Sequence, residues 1–506
     1  MQDQTAPPAL FEELELEAPG KWRRLSGLFL APAVFAFLLL LPLESLKPEA
    51  HRLAAIMAAV VVLWISEALP MPVTAMIGAS ACVLLRVAPA KDVFAPFADP
   101  LMFLFIGSFI LARAIALHGL DRRLAFAALS LRWVGGSPAR ILFAFGAVTA
   151  FISAWISNTA TTAMMFAIGL AILSYMSETA RASGRRLDMR YATVLMLMTS
   201  FSASIGGLAT PVGTPPNLIG LGFVRRMLGV EFPFFEWMMI GVPLVILLYF
   251  FLFGYLWRAS GSPSAGGAGT AAMLGRETAR TGPWSTAEKS TLLAFCVTVA
   301  LWILPGVLAL VMGESSPQYK ALSARLPEGV AALIGASLLF LLPGDRSGRA
   351  IDWSEAVKID WGIVLLYGGG FALGVLSFQT GLAESMGRGL LGFLPNASGT
   401  GLLIASTVMA ALVSEVTSNT ASANMVVPVV ISLAKAAGVD ALEPAIGATL
   451  GSSLGFMLPV STPCNAIVYG SGYIPLTKMI RYGLLLDVVG VAVIVTAVKL
   501  LLPLLR

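Results

Sequence analysis

The sequence predicts an all-α polytopic membrane protein of about eleven transmembrane helices plus two re-entrant helical hairpins, arranged as inverted repeats. Three observations carry this prediction. Of the 506 residues, 57% are apolar and only 12% are charged, with a mean hydropathy of +0.84. Runs such as Leu28 to Leu46, Ala287 to Val311 and Tyr482 to Leu505 can cross a hydrocarbon core ~30 Å thick. A set of landmarks then occurs twice in one order. Finally, two Ser-Asn-Thr tripeptides interrupt apolar runs at matching places, where backbone is costly unless it lines a cavity or is buried in protein.

The repeat is read directly. Leu69-Pro70-x-x-Val73-x-Ala75-x-Ile77-Gly78-Ala79-Ser80 returns as Leu326-Pro327-x-x-Val330-x-Ala332-x-Ile334-Gly335-Ala336-Ser337. Gly107-x-Phe109 returns as Gly369-x-Phe371, and Gly119-Leu120 as Gly381-Leu382. Ser157-Asn158-Thr159 and Ser418-Asn419-Thr420 follow. Each precedes a second polar break, Gly213-Thr214-Pro215-Pro216-Asn217 and Ser461-Thr462-Pro463-Cys464-Asn465. Self-similarity in a fixed order gives two halves, roughly 52–258 and 315–506. A Gly/Ser-rich stretch, SGSPSAGGAGTAA, joins them and reads as a flexible linker.

Charge sets the orientation. The net charge is +5, but the basic residues sit in loops beside spans, which argues against a nucleic-acid partner and for membrane lipid as the surroundings. Lys21, Arg23 and Arg24 precede the first span. Arg122, Arg123, Arg132, Arg140, Arg181, Arg185, Arg186 and Arg190 flank the first hairpin, and Arg276, Arg280, Lys289, Arg346, Arg349 and Lys358 follow. With a cytoplasmic N-terminus all of these clusters fall inside, the first hairpin opens inside and the second opens outside. That is inverted topology, with the two tips facing each other near the midplane. The acidic stretch Glu12 to Glu17 does not resemble a cleavable signal peptide.

Each hairpin tip ends one helix and begins another. Asn158, Thr159, Asn419 and Thr420 offer amide and hydroxyl donors beside helix N-termini, a geometry that favours an anion. The preceding helices end in free carbonyls, which with the hydroxyls of Ser153, Ser157, Ser414 and Ser418 suit a small hard cation. Pro215, Pro216 and Pro463 break the next helices and free more carbonyls. No Arg or Lys occurs in these motifs, so co-bound cations and helix ends would balance a dianion. Ser, Asn and Thr also serve as interhelical hydrogen-bond glue, but glue does not account for two copies, each followed by Thr-Pro-x-Asn. The duplicated breaks point to a secondary transporter's binding site.

These motifs, with Trp64-x-x-Glu67-Ala68-Leu69-Pro70, Phe105-Ile106-Gly107-x-Phe109 and Leu458-Pro459-x-x-Thr462-Pro463, resemble the divalent anion/sodium symporter family, which includes dicarboxylate, citrate and sulfate carriers. The resemblance covers nearly the whole chain from Trp64 on. It implies an elevator-type fold and a homodimer, in which a transport domain carrying both hairpins moves against a fixed scaffold. Its segments would be a cytoplasmic tail at 1–25, scaffold helices at 26–134, a transport half at 135–258, a flexible cytoplasmic loop at 259–286, scaffold helices at 287–396 and a second transport half at 397–506. Carried over by motif, two or more Na⁺ would be co-transported. The first would meet Ser153, Ser157, Asn158 and the backbone around Gly213, the second Ser414, Thr417, Asn419 and the backbone around Ser461. Substrate carboxylates would meet Asn158, Thr159, Thr214, Asn419, Thr420, Thr462 and Pro463. The second break departs from the first by carrying Cys464 where the first has Pro216.

The expected function is sodium-coupled symport of C4-dicarboxylates such as succinate, malate and fumarate, at a bacterial inner membrane. Sodium-independent dicarboxylate exchange, citrate or sulfate carriage on the same fold, and an anion channel are the alternatives. An enzyme is disfavoured, since no zinc motif or nucleophile elbow appears. Cys82, Cys296 and Cys464 lack paired spacing, and His51 and His118 read as packing or interfacial residues rather than metal ligands. Among charges in or near apolar runs, which are Glu67, Arg113, Asp360, Glu384 and Glu415, Glu415 is expected to tune the second cation site.

Overall fold

The computed structural model describes residues 21–505 apart from 135–136, 183, 185–187, 262–266, 314, 346–347 and 392–397. The tail before residue 21 with its acidic stretch, Arg185, Arg186, Arg346 and the centre of the Gly/Ser-rich linker lie outside the described residues.

The described chain is helical, opening with α1 (Lys21–Leu40) and α2 (Pro48–Ser66). A series of nine helices follows: α3 (Met71–Leu84), α4 (Ala90–Phe94), α5 (Pro100–Leu117), α6 (Leu120–Leu129), α7 (Pro138–Ser153), α8 (Asn158–Ala182), α9 (Met189–Gly206), α10 (Pro215–Phe223) and α11 (Phe234–Ala259). Then come α12 (Gly267–Arg280), α13 (Thr286–Met312) and α14 (Pro317–Arg325). A second series of nine closes the chain: α15 (Glu328–Leu341), α16 (Trp353–Ala356), α17 (Trp361–Gln379), α18 (Leu382–Leu391), α19 (Gly399–Val416), α20 (Asn419–Ala436), α21 (Leu442–Gly451), α22 (Pro463–Tyr469) and α23 (Leu476–Leu501). The repeated landmarks thus occupy equivalent helices in the two series.

Local chemistry places the boundaries. Pro48, Pro100, Pro138, Pro215 and Pro463 stand in the first turn of their helices, where a missing N–H costs nothing and the fixed φ suits the helix. Asp99 caps α5 by accepting from Leu101 N at 2.9 Å, and Ser285 and Glu288 form a capping box on α13.

The two series pack by exchange. Helix α5 lies on α15, and α17 lies on α3. A Cβ on Gly107 would stand 2.6 Å from the carbonyl carbon of Ala332, and one on Gly369 would stand 2.6 Å from Ala75 Cβ. Both contacts pair a landmark of one repeat with a landmark of the other, as a pseudo-two-fold arrangement requires. The same exchange recurs around the breaks. Helix α10 packs on α20 and α21, while α22 packs on α8 and α9. Phe201 of α9 meets Phe456 beyond α21 edge to face, at 5.2 Å between ring centres.

Among the described residues, nine helices are long and apolar enough to cross a membrane, or ten if the bent pair Pro317–Arg325 and Glu328–Leu341 counts as one span. This is fewer than about eleven complete crossings. Breaks divide α9 from α10 and α21 from α22, so an apolar run there is split into two shorter helices.

Within the expected loop 259–286, the described residues from 267 on include a helix. The segment carries α12, whose Leu274 and Thr270 are fully buried against neighbours that include α6 and α8. Arg123 secures the following turn: it donates to the carbonyls of Thr281 at 2.7 Å and Gly282 at 2.9 Å, and pairs with Glu288 at 2.6 Å. The segment is Gly/Ser-rich only at its start, and apolar residues on α12 have a surface to cover.

Four charges in or near the apolar runs, Glu67, Arg113, Glu384 and Asp360, find partners. Glu67 ends α2 in a left-handed conformation (φ 50°) and faces Arg23 at 3.5 Å. Arg113 pairs with Glu355 at 2.5 Å, Glu384 with Arg388 at 3.4 Å, and Asp360 caps α17. His51 and His118 each meet a backbone carbonyl at 2.6 Å, that of Leu38 and of Ala350, which is a packing role.

Candidate substrate and cation site

The first hairpin is α7, the turn at 154–157 and α8. Ser157 caps α8 by accepting from Ala160 N at 3.3 Å. Ser153 Oγ and the Asn158 side chain stand 2.7 Å apart. The amide orientation set by the surrounding network lets Asn158 donate to the carbonyls of Ala203 at 3.1 Å and Gly213 at 3.3 Å. Thr210 donates to the carbonyl of Ala154 at 2.5 Å and accepts from Gly213 N at 3.1 Å. The tip and the first break are therefore one hydrogen-bonded unit. At its centre, a Cβ on Gly213 would stand 2.5 Å from the carbonyl oxygen of Gly207 and 3.0 Å from that of Ala154. The two carbonyl oxygens, which accept from Asn217 and Thr210, converge where a methyl group would collide with them, and oxygens so gathered are hard ligands.

The second hairpin, α19 to α20, repeats the arrangement. Ser418 caps α20 by accepting from Ala421 N at 3.1 Å. Ser414 Oγ stands 2.7 Å from Asn419 Oδ1 and donates to the carbonyl of Ser452 at 2.8 Å. Ser461 Oγ reaches the carbonyls of Gly455 at 2.9 Å and Leu458 at 2.8 Å. Thr417 is buried, but its hydroxyl turns back to the carbonyl of Val413 at 2.9 Å. Glu415 accepts from the backbone N–H groups of Met457 at 2.8 Å and Leu458 at 3.2 Å, so it holds the second break from behind.

Two asparagines outside the expected ligand set organise both breaks. Asn217 Nδ2 donates to the carbonyls of Gly207 at 3.0 Å and Thr210 at 2.8 Å. Asn465 Nδ2 donates to those of Gly455 at 2.9 Å and Leu458 at 3.0 Å. Ser200 of the first half reaches Asn465 Oδ1 at 2.5 Å, which ties the second break to α9. The asparagine of each Thr-Pro-x-Asn was the available signal. Thr210, Ser452, Gly207 and Gly455 carried none.

The proposed anion contacts divide into two kinds. Thr159 and Pro463 are exposed, and Thr420 is half-buried. Thr214 and Thr462 are buried N-caps of α10 and α22, and Thr462 accepts from Asn465 N at 3.2 Å. The thiol of Cys464 lies near Thr159, Thr162 and Ser204. The first tip and the second break are thus brought together by the fold, and the residue that departs from repeat symmetry stands at their junction. Asn158 is bonded to Ser153, Ala203 and Gly213, whereas Asn419 makes one side-chain contact, with Ser414. Among the described residues, no cluster of three or more His, Cys, Asp or Glu could hold a metal ion.

Duplicated hairpins, interrupted helices and exchanged packing define a multi-pass secondary transporter. The profile of the sodium:sulfate symporter transmembrane region matches residues 22–505, and the chain belongs to that family. It is 32% identical over 489 residues to a sodium-dependent dicarboxylate transporter, SdcS, of Staphylococcus saprophyticus, covering 95% of this chain and 92% of the relative. It is 30% identical over 502 residues to SdcS of Staphylococcus aureus, covering 97% and 94%. Its fold is similar to that of the Alcanivorax borkumensis YdaH transporter, with a TM-score of 0.52 and 14% identity over 94% of this chain and 96% of the other. Neisseria gonorrhoeae MtrF gives the same score and identity over 84% and 85%.

Proposed function

We propose that this protein is a sodium-coupled symporter of C4-dicarboxylates. The observation that carries the reading is the pair of matching units, each a hairpin tip bonded to a broken helix, with Ser153 beside Asn158 in one and Ser414 beside Asn419 in the other. Naming of full-length relatives as sodium-dependent dicarboxylate transporters supports both the ion and the substrate class.

In this reading, Na⁺ sits at the first unit among Ser153, Ser157, Asn158 and the backbone at Gly213. A second Na⁺ sits among Ser414, Thr417, Asn419 and the backbone at Ser461. Two cations beside two helix N-termini compensate a dianion without a fixed basic side chain. The carboxylates meet Thr159, Thr420, Thr214, Thr462 and Pro463, with Asn158 and Asn419 bridging ion and substrate. Sodium then binds better when substrate is present and the converse, which is the thermodynamic requirement for coupling.

The exchanged packing supports an elevator. Helices α7–α11 and α19–α23 interlock around the breaks, whereas α3, α5, α15 and α17 interlock with one another. In this reading the two cross-braced sets of helices slide past each other along their shared interface, where α17 meets α10 and α20. The fixed body would also supply a homodimer contact, and the N-terminus would face the cytoplasm.

The test is labelled succinate uptake into proteoliposomes with an inward Na⁺ gradient, with K⁺ in its place, and with unlabelled succinate preloaded. Uptake that requires Na⁺ supports the symporter. Uptake that requires internal succinate and ignores Na⁺ overturns it in favour of an exchanger.

A further inference from the structure

Behind the second break lies a group that the two sodium units do not use. Asp487, on the apolar helix α23, is 7% exposed, and Glu415 is 3% exposed. Both Asp487 carboxylate oxygens are buried without a hydrogen-bond donor. They lie within hydrogen-bonding reach of the Glu415 carboxyl group, against the backbone at Phe456. Among the described residues, neither acid forms an ion pair with a Lys, Arg or His. Close approach is built in: a Cβ on Gly483, one turn before Asp487, would stand 2.4 Å from the carbonyl of Phe456.

Two adjacent carboxylates in an apolar interior carry a large desolvation cost unless a proton or a metal cation joins them. Glu415 already accepts two backbone N–H groups. Asp487 has no such support, so its oxygens are the open ligands of the pair. The location is informative as well. Glu415 follows Ser414 in sequence, and its N–H partners, Met457 and Leu458, belong to the backbone that forms the second sodium unit. A cation held here would report directly on the geometry of that unit.

We propose that Glu415 and Asp487 form a further Na⁺ site, separate from the two hairpin units and placed behind the second. The proposal rests on the sodium-coupled reading. The carboxylates supply up to four oxygens to the ion, a hard-ligand set suited to it. Occupancy lets α23 close on the second break, which orders the carbonyls of Gly455 and Leu458 for the neighbouring ion. Loading of the two sites is then positively cooperative.

The experiment is equilibrium ²²Na⁺ binding to purified full-length protein, counted as ions per chain, in wild type, Asp487→Asn and Glu415→Gln. Thermal unfolding serves as the control for folding, and Asn at 487 keeps the side-chain shape. The expected result is the loss of one bound Na⁺ per chain in either variant, with a lower Hill coefficient for the ions that remain. An unchanged count in a folded Asp487→Asn protein overturns the site. So does an unchanged count accompanied by loss of pH sensitivity in Na⁺ binding, which would assign a proton to the pair. Because the count requires no transport, it separates failure of this site from failure of the symporter reading, which succinate uptake decides.

Discussion

The Arg225 guanidinium stands 2.5 and 2.6 Å from the two carboxylate oxygens of Asp99, and Asp99 Oδ1 also faces Tyr367 Oη at 3.2 Å. Arg225 belongs to the π-helical turn Val224–Leu228 that follows α10, while Asp99 caps α5. The ion pair therefore joins the end of α10, beyond the first break, to the start of α5. Asp99→Asn is expected to lower stability by about 2 kcal/mol, between the surface and buried limits for ion pairs. Thermal unfolding in detergent checks it. The double variant Asp99→Asn with Arg225→Gln should recover part of the loss, because no charge is left unpaired. A double variant less stable than either single variant would refute the ion pair as the cause.

At the tips, Asn158→Ala removes an amide that links Ser153, Ala203 and Gly213, and Asn419→Ala removes the partner of Ser414. Each substitution should reduce sodium-driven succinate uptake at least about tenfold, equivalent to about 1.4 kcal/mol or more in the apparent barrier. Initial rates in proteoliposomes, normalised to inserted protein, give the answer. Full activity in Asn158→Ala would remove the first unit from the mechanism.

Gly213→Ala tests the cation cradle rather than the amide. The new methyl group meets the carbonyl oxygens of Gly207 and Ala154, which converge on the Gly213 backbone proposed to hold the first ion. Half-saturating Na⁺ for uptake should rise about tenfold or more, a binding loss of about 1.4 kcal/mol, with the substrate dependence at saturating Na⁺ changed far less. Equal shifts in both would mean that the substitution disturbs the whole tip.

In the packed interface between the repeats, Gly107→Ala and Gly369→Ala each force a methyl group into atoms 2.6 Å away. Overpacking of this kind costs about 1–3 kcal/mol. Matched losses of thermal stability are expected, because each glycine contacts the other repeat's equivalent alanine, Ala332 or Ala75. A loss at one position alone would argue against equivalent packing of the two series.

The sequence read the class of fold and the polar motifs at the hairpin tips further than it read how those tips are built. The Ser-Asn-Thr pair was legible because polar residues stand out in apolar runs. Thr210 was not, because a lone threonine in an apolar run carries no distinguishing pattern, whereas in the fold it ties Ala154 to Gly213 from the break between α9 and α10. Asp99 and Arg225 were missed because each sits at a helix end, where charge is unremarkable in a sequence. Asp487 was missed in a long apolar run whose neighbours gave no pairing signal. Helix α12 was hidden by a glycine- and serine-rich beginning.

What the sequence by itself determined was therefore periodic or repeated: spanning-length apolar runs, two halves, and two polar tips with a break after each. Hydrophobicity, repetition and the backbone needs of Pro and Gly are local properties, and a linear chain displays them. Tertiary structure alone decided the exchange, by which α22 of the second half packs on α8 and α9 of the first and α10 of the first packs on α20 and α21 of the second. It also decided that Cys464 would meet Thr159 and that Asp487 would meet Glu415. Those juxtapositions arise from close packing between segments hundreds of residues or several helices apart, where contact depends on shape complementarity that no short stretch of sequence contains.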